Sequence, residues 1–249
     1  MASETETPEE ERAAAGSPPA GDDHWSGSDR VVQVRPHVWR WLAARIGNGP
    51  VLEIGPGLRP TAPARSSTFV DASAHALRRL AAQGARAVPV DGSLPFFDHE
   101  FEAVLAFEVV EHVQDDEGLL AEMARVTRPG GLLILSTPVH RSMWSPLDEA
   151  CGHIRRDEPI ALFAKIAKAG YEVGGFTWFP ATSRRLTRIR ARTLRRYRRL
   201  STALVQTLVF PLQAGYHRVF GRVNWKAPAS AVPAEADDLM LWARRSAEA

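Results

Sequence analysis

Four short apolar runs between Val51 and Glu108 each carry an acidic residue at or near their carboxyl end. Val51–Ile54 contains Glu53 and runs into Gly55-Pro56-Gly57. Thr68–Val70 closes on Asp71, Ala87–Val90 on Asp91, and Glu102–Phe107 on Glu108. Runs this short and this apolar suit strands buried on both faces, which is the condition of a parallel sheet covered by helices. The stretches between them carry helical spacing, as in Ala72, His75, Ala76 and Leu80 before Gly84. Asp115–Val126 and Asp157–Ala169 predict further helices. Pro129-Gly130-Gly131 predicts a turn into a buried strand, Leu132–Ser136, and Tyr171–Trp178 and Asp238–Arg244 predict the last two strands. A helix over Val34–Ile46 precedes the first strand. The alternation predicts an α/β fold: a doubly wound, mostly parallel seven-stranded sheet with an Arg-rich helical insertion before the last strand.

In such a sheet ligands bind beyond the carboxyl ends of the strands. One strand-end acid can simply cap a helix; four in succession point to one ligand. Gly55 and Gly57 let the backbone turn tightly and let a ligand approach it, while Pro56 stiffens the loop. A dinucleotide-binding loop wants glycine or alanine where this chain has Pro60.

The motif around Glu53-Ile54-Gly55-Pro56-Gly57 resembles the first motif of the class I S-adenosylmethionine-dependent methyltransferases, in particular the small-molecule type of the methyltransferase-11 and ubiquinone-biosynthesis groups. Phe107-Glu108-Val109-Val110-Glu111-His112-Val113 and Arg125-Val126-Thr127-Arg128-Pro129-Gly130-Gly131 are similar to that family's end of strand four and turn into strand five. The resemblance covers roughly Val51 to Val173 and implies a Rossmann-like sheet with S-adenosyl-L-methionine as cofactor. It implies cofactor contacts from Glu53, Gly55, Gly57, Asp71 (ribose hydroxyls), Asp91 (adenine side), Phe107 and Glu108. The chain departs from the pattern at Arg59, where the third glycine belongs, and Pro60 and Pro63 predict a short or displaced helix after the first strand.

Methyl transfer from a sulfonium is an in-line displacement, so positioning carries most of the catalysis, and a base is needed only for a protonated acceptor. His112 and His153 are the candidate catalytic residues, each with a structural alternative as a helix cap or loop anchor. Asp148 and His153 together are suited to locking a loop. Trp144-Ser145-Pro146-Leu147-Asp148 and Gly152-His153-Ile154-Arg155-Arg156 resemble the loop that borders the substrate pocket in related methyltransferases. His140, Trp144 and Arg155 are the candidate substrate contacts. No metal-binding cluster is read from the sequence; the single cysteine, Cys151, excludes a disulfide framework and a multi-cysteine zinc site.

Residues 1–29 hold eight acids against one base, with much Pro, Gly, Ser and Ala, and are expected to be a disordered tail before one domain spanning 30–249. Between Glu172 and Glu235 there is no acidic residue. Within the insertion, 179–236, nine arginines from Arg184 to Arg199 lie opposite a stripe of Leu186, Ile189, Thr193, Tyr197, Leu200, Leu204 and Leu208. This predicts either a lid helix with solvated arginines or, through 184–212, a peripheral contact with an anionic membrane. RNA binding suits the charge but lacks a recognised module. With no secretory signal and no apolar run long enough to span a bilayer, the chain is expected to be cytoplasmic, at most peripheral at the membrane's inner face. The expected function is methylation of a small or lipid-like molecule; an RNA methyltransferase and a non-catalytic cofactor-binding or membrane-associated scaffold are the alternatives.

Overall fold

The structure, a computed structural model, describes residues 31–90, 93–180 and 205–247. The acidic tail, Asp91 and residues 184–204 of the basic segment lie outside the described residues.

Helix α1 (Pro36–Ile46) leads into β1 (Val51–Ile54) and β2 (Thr68–Asp71). Then come α2 (Ala74–Ala81), β3 (Arg86–Pro89), β4 (Phe101–Phe107), α3 (Asp116–Val126) and β5 (Thr127–Pro138). The chain continues through α4 (Pro146–Cys151), α5 (Pro159–Lys168), β6 (Tyr171–Pro180), α6 (Phe210–Val219) and β7 (Ala236–Arg245). The seven strands form one sheet in the order β3-β2-β1-β4-β5-β7-β6. Strands β1 to β5 pair in parallel, and β7 runs antiparallel between β5 and β6. The order reverses between β1 and β4, so their carboxyl ends open the crevice where ligands bind in folds of this kind.

Alternate side chains along the strands feed two cores. Leu52, Ile54, Val104 and Ala106 pack with Leu120 and Met123 of α3 and Leu162 and Ile166 of α5. Val51, Ala103, Leu105 and Phe107 pack on the other face with Val38 and Leu42 of α1 and Leu80 of α2. Each fully buried side chain of this size stabilises the fold by about 1.5–3 kcal/mol.

The link between β1 and β2 holds one 3-10 turn, Ala64–Ser66, instead of a full helix, as Pro60 and Pro63 require. Two expectations are corrected. Pro129-Gly130-Gly131 lies inside β5, where an irregularity opposite Phe101 and Ala103 absorbs the extra residues. The insertion begins later and ends earlier than 179–236: Phe179 and Pro180 extend β6, and Ala236 opens β7. In its described part, a π-helical turn (Val205–Val209) and α6 give way to an irregular stretch held to the sheet where Phe176 and Lys226 exchange backbone hydrogen bonds. The helix runs through Gly215. It packs on α1, with His37 and His217 stacked at 4.4 Å and the Arg40 guanidinium donating to the Gly221 carbonyl at 3.0 Å.

Candidate functional site

The loop after β1 is built around two buried carboxylates. Glu53 accepts from the Thr61 amide at 2.9 Å and the Ala62 amide at 2.8 Å, bracing the far end of the loop. Burial pushes its pKa up to about 7, against the lowering effect of these bonds and of Arg35. Asp71, at the carboxyl end of β2, accepts from the Gly57 amide at 2.8 Å and the Ser73 amide at 2.7 Å. Ser73 in turn caps α2 by accepting from the Ala76 amide. Asp71 thereby ties the near end of the loop to the start of the next helix.

Gly55 has φ of 63° and Gly57 of 54°. A Cβ on Gly55 would lie 2.9 Å from Val109 Cγ2, so the loop approaches the segment after β4 as closely as a bare backbone permits. Glu108, on that segment, has φ of 56°, its amide donates to the Ser136 carbonyl at 2.9 Å, and its Oε1 accepts from the Ser136 hydroxyl at 2.5 Å. Gly55, Gly57, Asp71 and Glu108 therefore border one crevice. Phe107 is buried beneath it, with the Arg35 guanidinium 4.3 Å above its ring.

A cavity of about 230 Å³ opens beside this crevice, lined by Arg35, His37, Glu108, Ser136 and Asp238 among others. Burial pushes the Asp238 carboxyl up, and the Glu108 and Asp237 charges add to the shift. Burial pulls the Arg35 guanidinium down, while Glu108, Glu53 and Asp238 support its charge. Arg59, in the place of the missing third glycine, has its pKa lowered to about 10 by burial and by the Arg35 charge, with Glu108 opposing. Arg35, Ser136 and Asp238 escaped the sequence reading because they come together only in the fold. The one available signal is a charged residue, Arg35, in the valine-rich approach to α1.

The second half of the site is the segment after β5. Asp148 is buried and collects the His153 imidazole at 2.9 Å, Arg156 Nε at 2.7 Å and the Ser145 hydroxyl at 2.9 Å. Burial alone would raise its pKa, but these bonds outweigh it and hold the carboxyl well below its usual range. Arg156 Nη1 continues to Asp237 at 2.7 Å, so the loop is locked to the start of β7. The Ile154 amide donates to the Glu111 carbonyl at 2.9 Å. His112 Nδ1 faces the Gly152 carbonyl at 3.1 Å, and its ring meets His153 edge to face at 4.8 Å. Burial lowers the His112 pKa, helped by the His153 charge.

The structure thus brings His112 and His153 together and separates the other residues of that loop by role. His140 has both ring nitrogens engaged, on Glu158 at 2.9 Å and on the Pro233 carbonyl at 3.0 Å. Arg155 is paired with Asp116 and donates to the Gln114 carbonyl at 2.7 Å. Trp144 is partly exposed on the turn before α4. Asp91 lies outside the described residues.

Comparison with known proteins bears on this geometry. Residues 52–135, which carry the loop, Asp71 and Glu108, match the family model described as a methyltransferase domain. A demethylmenaquinone methyltransferase of Mycobacterium tuberculosis is 39% identical over 108 residues, covering 39% of this chain and 46% of that protein. The chain spans less than half the length of the curated relatives it matches. Among solved structures, an S-adenosylmethionine-dependent methyltransferase from Mesorhizobium loti superposes with a TM-score of 0.50 at 16% identity, over 83% of this chain and 97% of that one. The 4+2 cyclase SpnF superposes with a TM-score of 0.54 at 15% identity, over 84% of this chain and 80% of that one. These two likenesses show the fold; a fold alone leaves the reaction open.

Proposed function

We propose that this chain, whose residues 52–135 form a class I methyltransferase domain, transfers a methyl group from S-adenosyl-L-methionine to a small or lipid-like acceptor. The observation that carries the reading is the crevice at the carboxyl ends of β1, β2 and β4, where Gly55, Gly57, Asp71 and Glu108 converge. Its chemistry fits the cofactor. Gly55, whose missing Cβ lets Val109 close against the loop, is itself exposed, so its backbone is open to a ligand. Asp71, at the carboxyl end of β2, is a carboxylate, the group that accepts from a diol. Arg35 and Arg59 supply positive charge for a carboxylate, and Glu108 negative charge for an ammonium group. Glu53 serves the cofactor indirectly, by holding the loop. S-adenosylmethionine supplies the methyl group when bound; the chain's own part is to orient donor and acceptor and to exclude water.

The cavity beside the crevice is the acceptor's place in this reading, and His112 or His153 takes a proton where the acceptor must lose one. Calorimetric titration tests the premise: S-adenosylmethionine is expected to bind saturably at one per chain. Absence of binding, with a nicotinamide dinucleotide binding in its place, would overturn it. Labelled methyl transfer into cell extracts then identifies the acceptor.

The lipid-like acceptor is favoured by α6. Leu208, Val209, Leu212, Tyr216, Val219 and Phe220 are all exposed along this helix and the turns at its ends, next to the basic segment. An exposed apolar face preceded in sequence by an arginine-rich segment is the composition that inserts at an anionic membrane surface. No described helix is long and apolar enough to cross a membrane. The chain is expected to float with anionic vesicles and to lose that association when Leu212 and Val219 are both changed to Glu. Wild-type protein that stays unbound would exclude the surface contact.

A further inference from the structure

We propose that Glu111, His112 and His153 form a binding site for a single divalent transition-metal ion of the zinc type. The three residues come from two segments. Glu111 and His112 lie on the 3-10 turn Val110–His112 after β4, and His153 lies just past the end of α4. One ligand atom from each lies within 4.8 Å of the other two.

Three features distinguish this cluster from a chance meeting of polar side chains. The first is tautomer. His153 Nδ1 faces the Asp148 carboxylate and His112 Nδ1 faces the Gly152 carbonyl. An acceptor opposite Nδ1 places the proton there, so both rings are left with the Nε2 lone pair free, which is the form a metal takes. The second is the carboxylate. Glu111 is fully buried, and although Oε2 accepts from the Thr137 hydroxyl at 3.2 Å, Oε1 has no hydrogen-bond partner. That atom lies 3.9 Å from His153 Nε2. A buried carboxylate oxygen without a partner is costly, and a cation between it and the two imidazoles removes the cost. The third is support: Asp148 orients His153 and is itself fixed by Arg156 and Ser145, the outer-shell arrangement usual for a metal-binding imidazole.

Ligand atoms about a tetrahedral ion at about 2.1 Å lie roughly 3.4 Å apart. The His153–Glu111 separation needs to contract by only about half an ångström to reach this, and the His112 ring already sits against His153, edge to face at 4.8 Å. Two imidazoles and one carboxylate suit zinc, iron or cobalt better than magnesium or calcium, which take oxygen ligands. Three protein ligands leave a coordination position open, for water or for an oxygen of the acceptor. With the ion bound the two imidazoles are ligands, and the proton-accepting role proposed above for one of them belongs to the metal-free chain. The binding claim does not depend on methyl transfer, because it is read without donor or acceptor.

Chelator-treated full-length protein, titrated with zinc chloride and measured for metal content after desalting, is expected to retain one zinc per chain. Cobalt(II) is expected to give visible d–d absorption at the same stoichiometry. His112→Ala, at an exposed position, should weaken zinc binding by more than about 100-fold, and Asp148→Asn by roughly 10–100-fold through loss of the supporting carboxylate. Failure of the wild type to retain stoichiometric zinc, or retention that His112→Ala and His153→Ala leave unchanged, would overturn the site.

Discussion

Replacing Asp148 with alanine is expected to lower the unfolding free energy by about 3–5 kcal/mol, the usual cost of removing one partner from a buried ion pair. Asp148 and Arg156 are both nearly inaccessible, and Asp148 also receives His153 and Ser145. The truncation leaves the Arg156 guanidinium with Asp237 as its one carboxylate partner, and it releases the capping box in which Ser145 and Asp148 bond reciprocally at the start of α4. Asp148→Asn keeps the shape and one acceptor and should cost less. The same network sets an acid limit. Because the folded-state pKa of Asp148 is depressed, its contribution is present above its unfolded pKa of about 4 and disappears as pH falls below that. Glu53 acts in the opposite sense: its raised pKa favours the folded state at low pH, and that advantage is lost as pH rises from about 4.5 to about 7. Denaturant unfolding at pH 7, pH 4 and pH 2 separates the two: the Glu53 effect falls between pH 7 and pH 4, and the Asp148 loss between pH 4 and pH 2. A loss below about 1 kcal/mol for Asp148→Ala, the range of an exposed pair, would mean that Asp237 alone satisfies Arg156.

The strands were legible because their signal is local. Val51–Ile54 occupies the positions its apolar run predicts, and Thr68–Val70 and Glu102–Phe107 each differ by one residue. The short helix expected after β1 is a single 3-10 turn, in keeping with Pro60 and Pro63, which leave little room for a longer one. Pro129-Gly130-Gly131 misled because turn residues also occupy strand irregularities, and only the register with β4 decides between the two. The strand ends that carry the acids were legible, but the differing partners of those acids were not. Glu53, Asp71 and Glu108 look alike in sequence. Their partners, Thr61 and Ala62, Gly57 and Ser73, and Ser136, are fixed by the paths of loops that carry no periodic signal. Glu111 shows the limit of such reading. It stands between residues assigned to the cofactor and to catalysis, and only the 3-10 turn, which rotates it inward beneath His153, gives it a buried carboxylate's chemistry. Asp238 is more than 200 residues from Arg35 in sequence, and no local pattern could have joined them.

Asp71 is the position where cofactor binding should be most sensitive. Asp71→Ala removes the acceptor for two backbone amides and, in the proposed reading, the acceptor for the cofactor's ribose hydroxyls. A hydrogen bond to a charged group contributes about 1.5–3 kcal/mol, so each bond lost should lower affinity for S-adenosylmethionine by roughly 10- to 150-fold. Alanine alone cannot separate loss of the ribose contact from a disordered loop, because the Gly57 and Ser73 amides lose their partner as well. Asp71→Asn helps, since its one carbonyl oxygen can still serve a backbone amide while its amide nitrogen cannot accept. The deciding measurement is a cycle with a cofactor analogue that lacks the ribose hydroxyls. If Asp71 contacts them, the wild type should bind the analogue far more weakly than the parent, whereas Asp71→Asn should bind the two nearly alike. An Asp71→Asn penalty of equal size for both ligands would assign Asp71 to the loop alone, alongside Glu53, and would leave the ribose to another residue of the crevice.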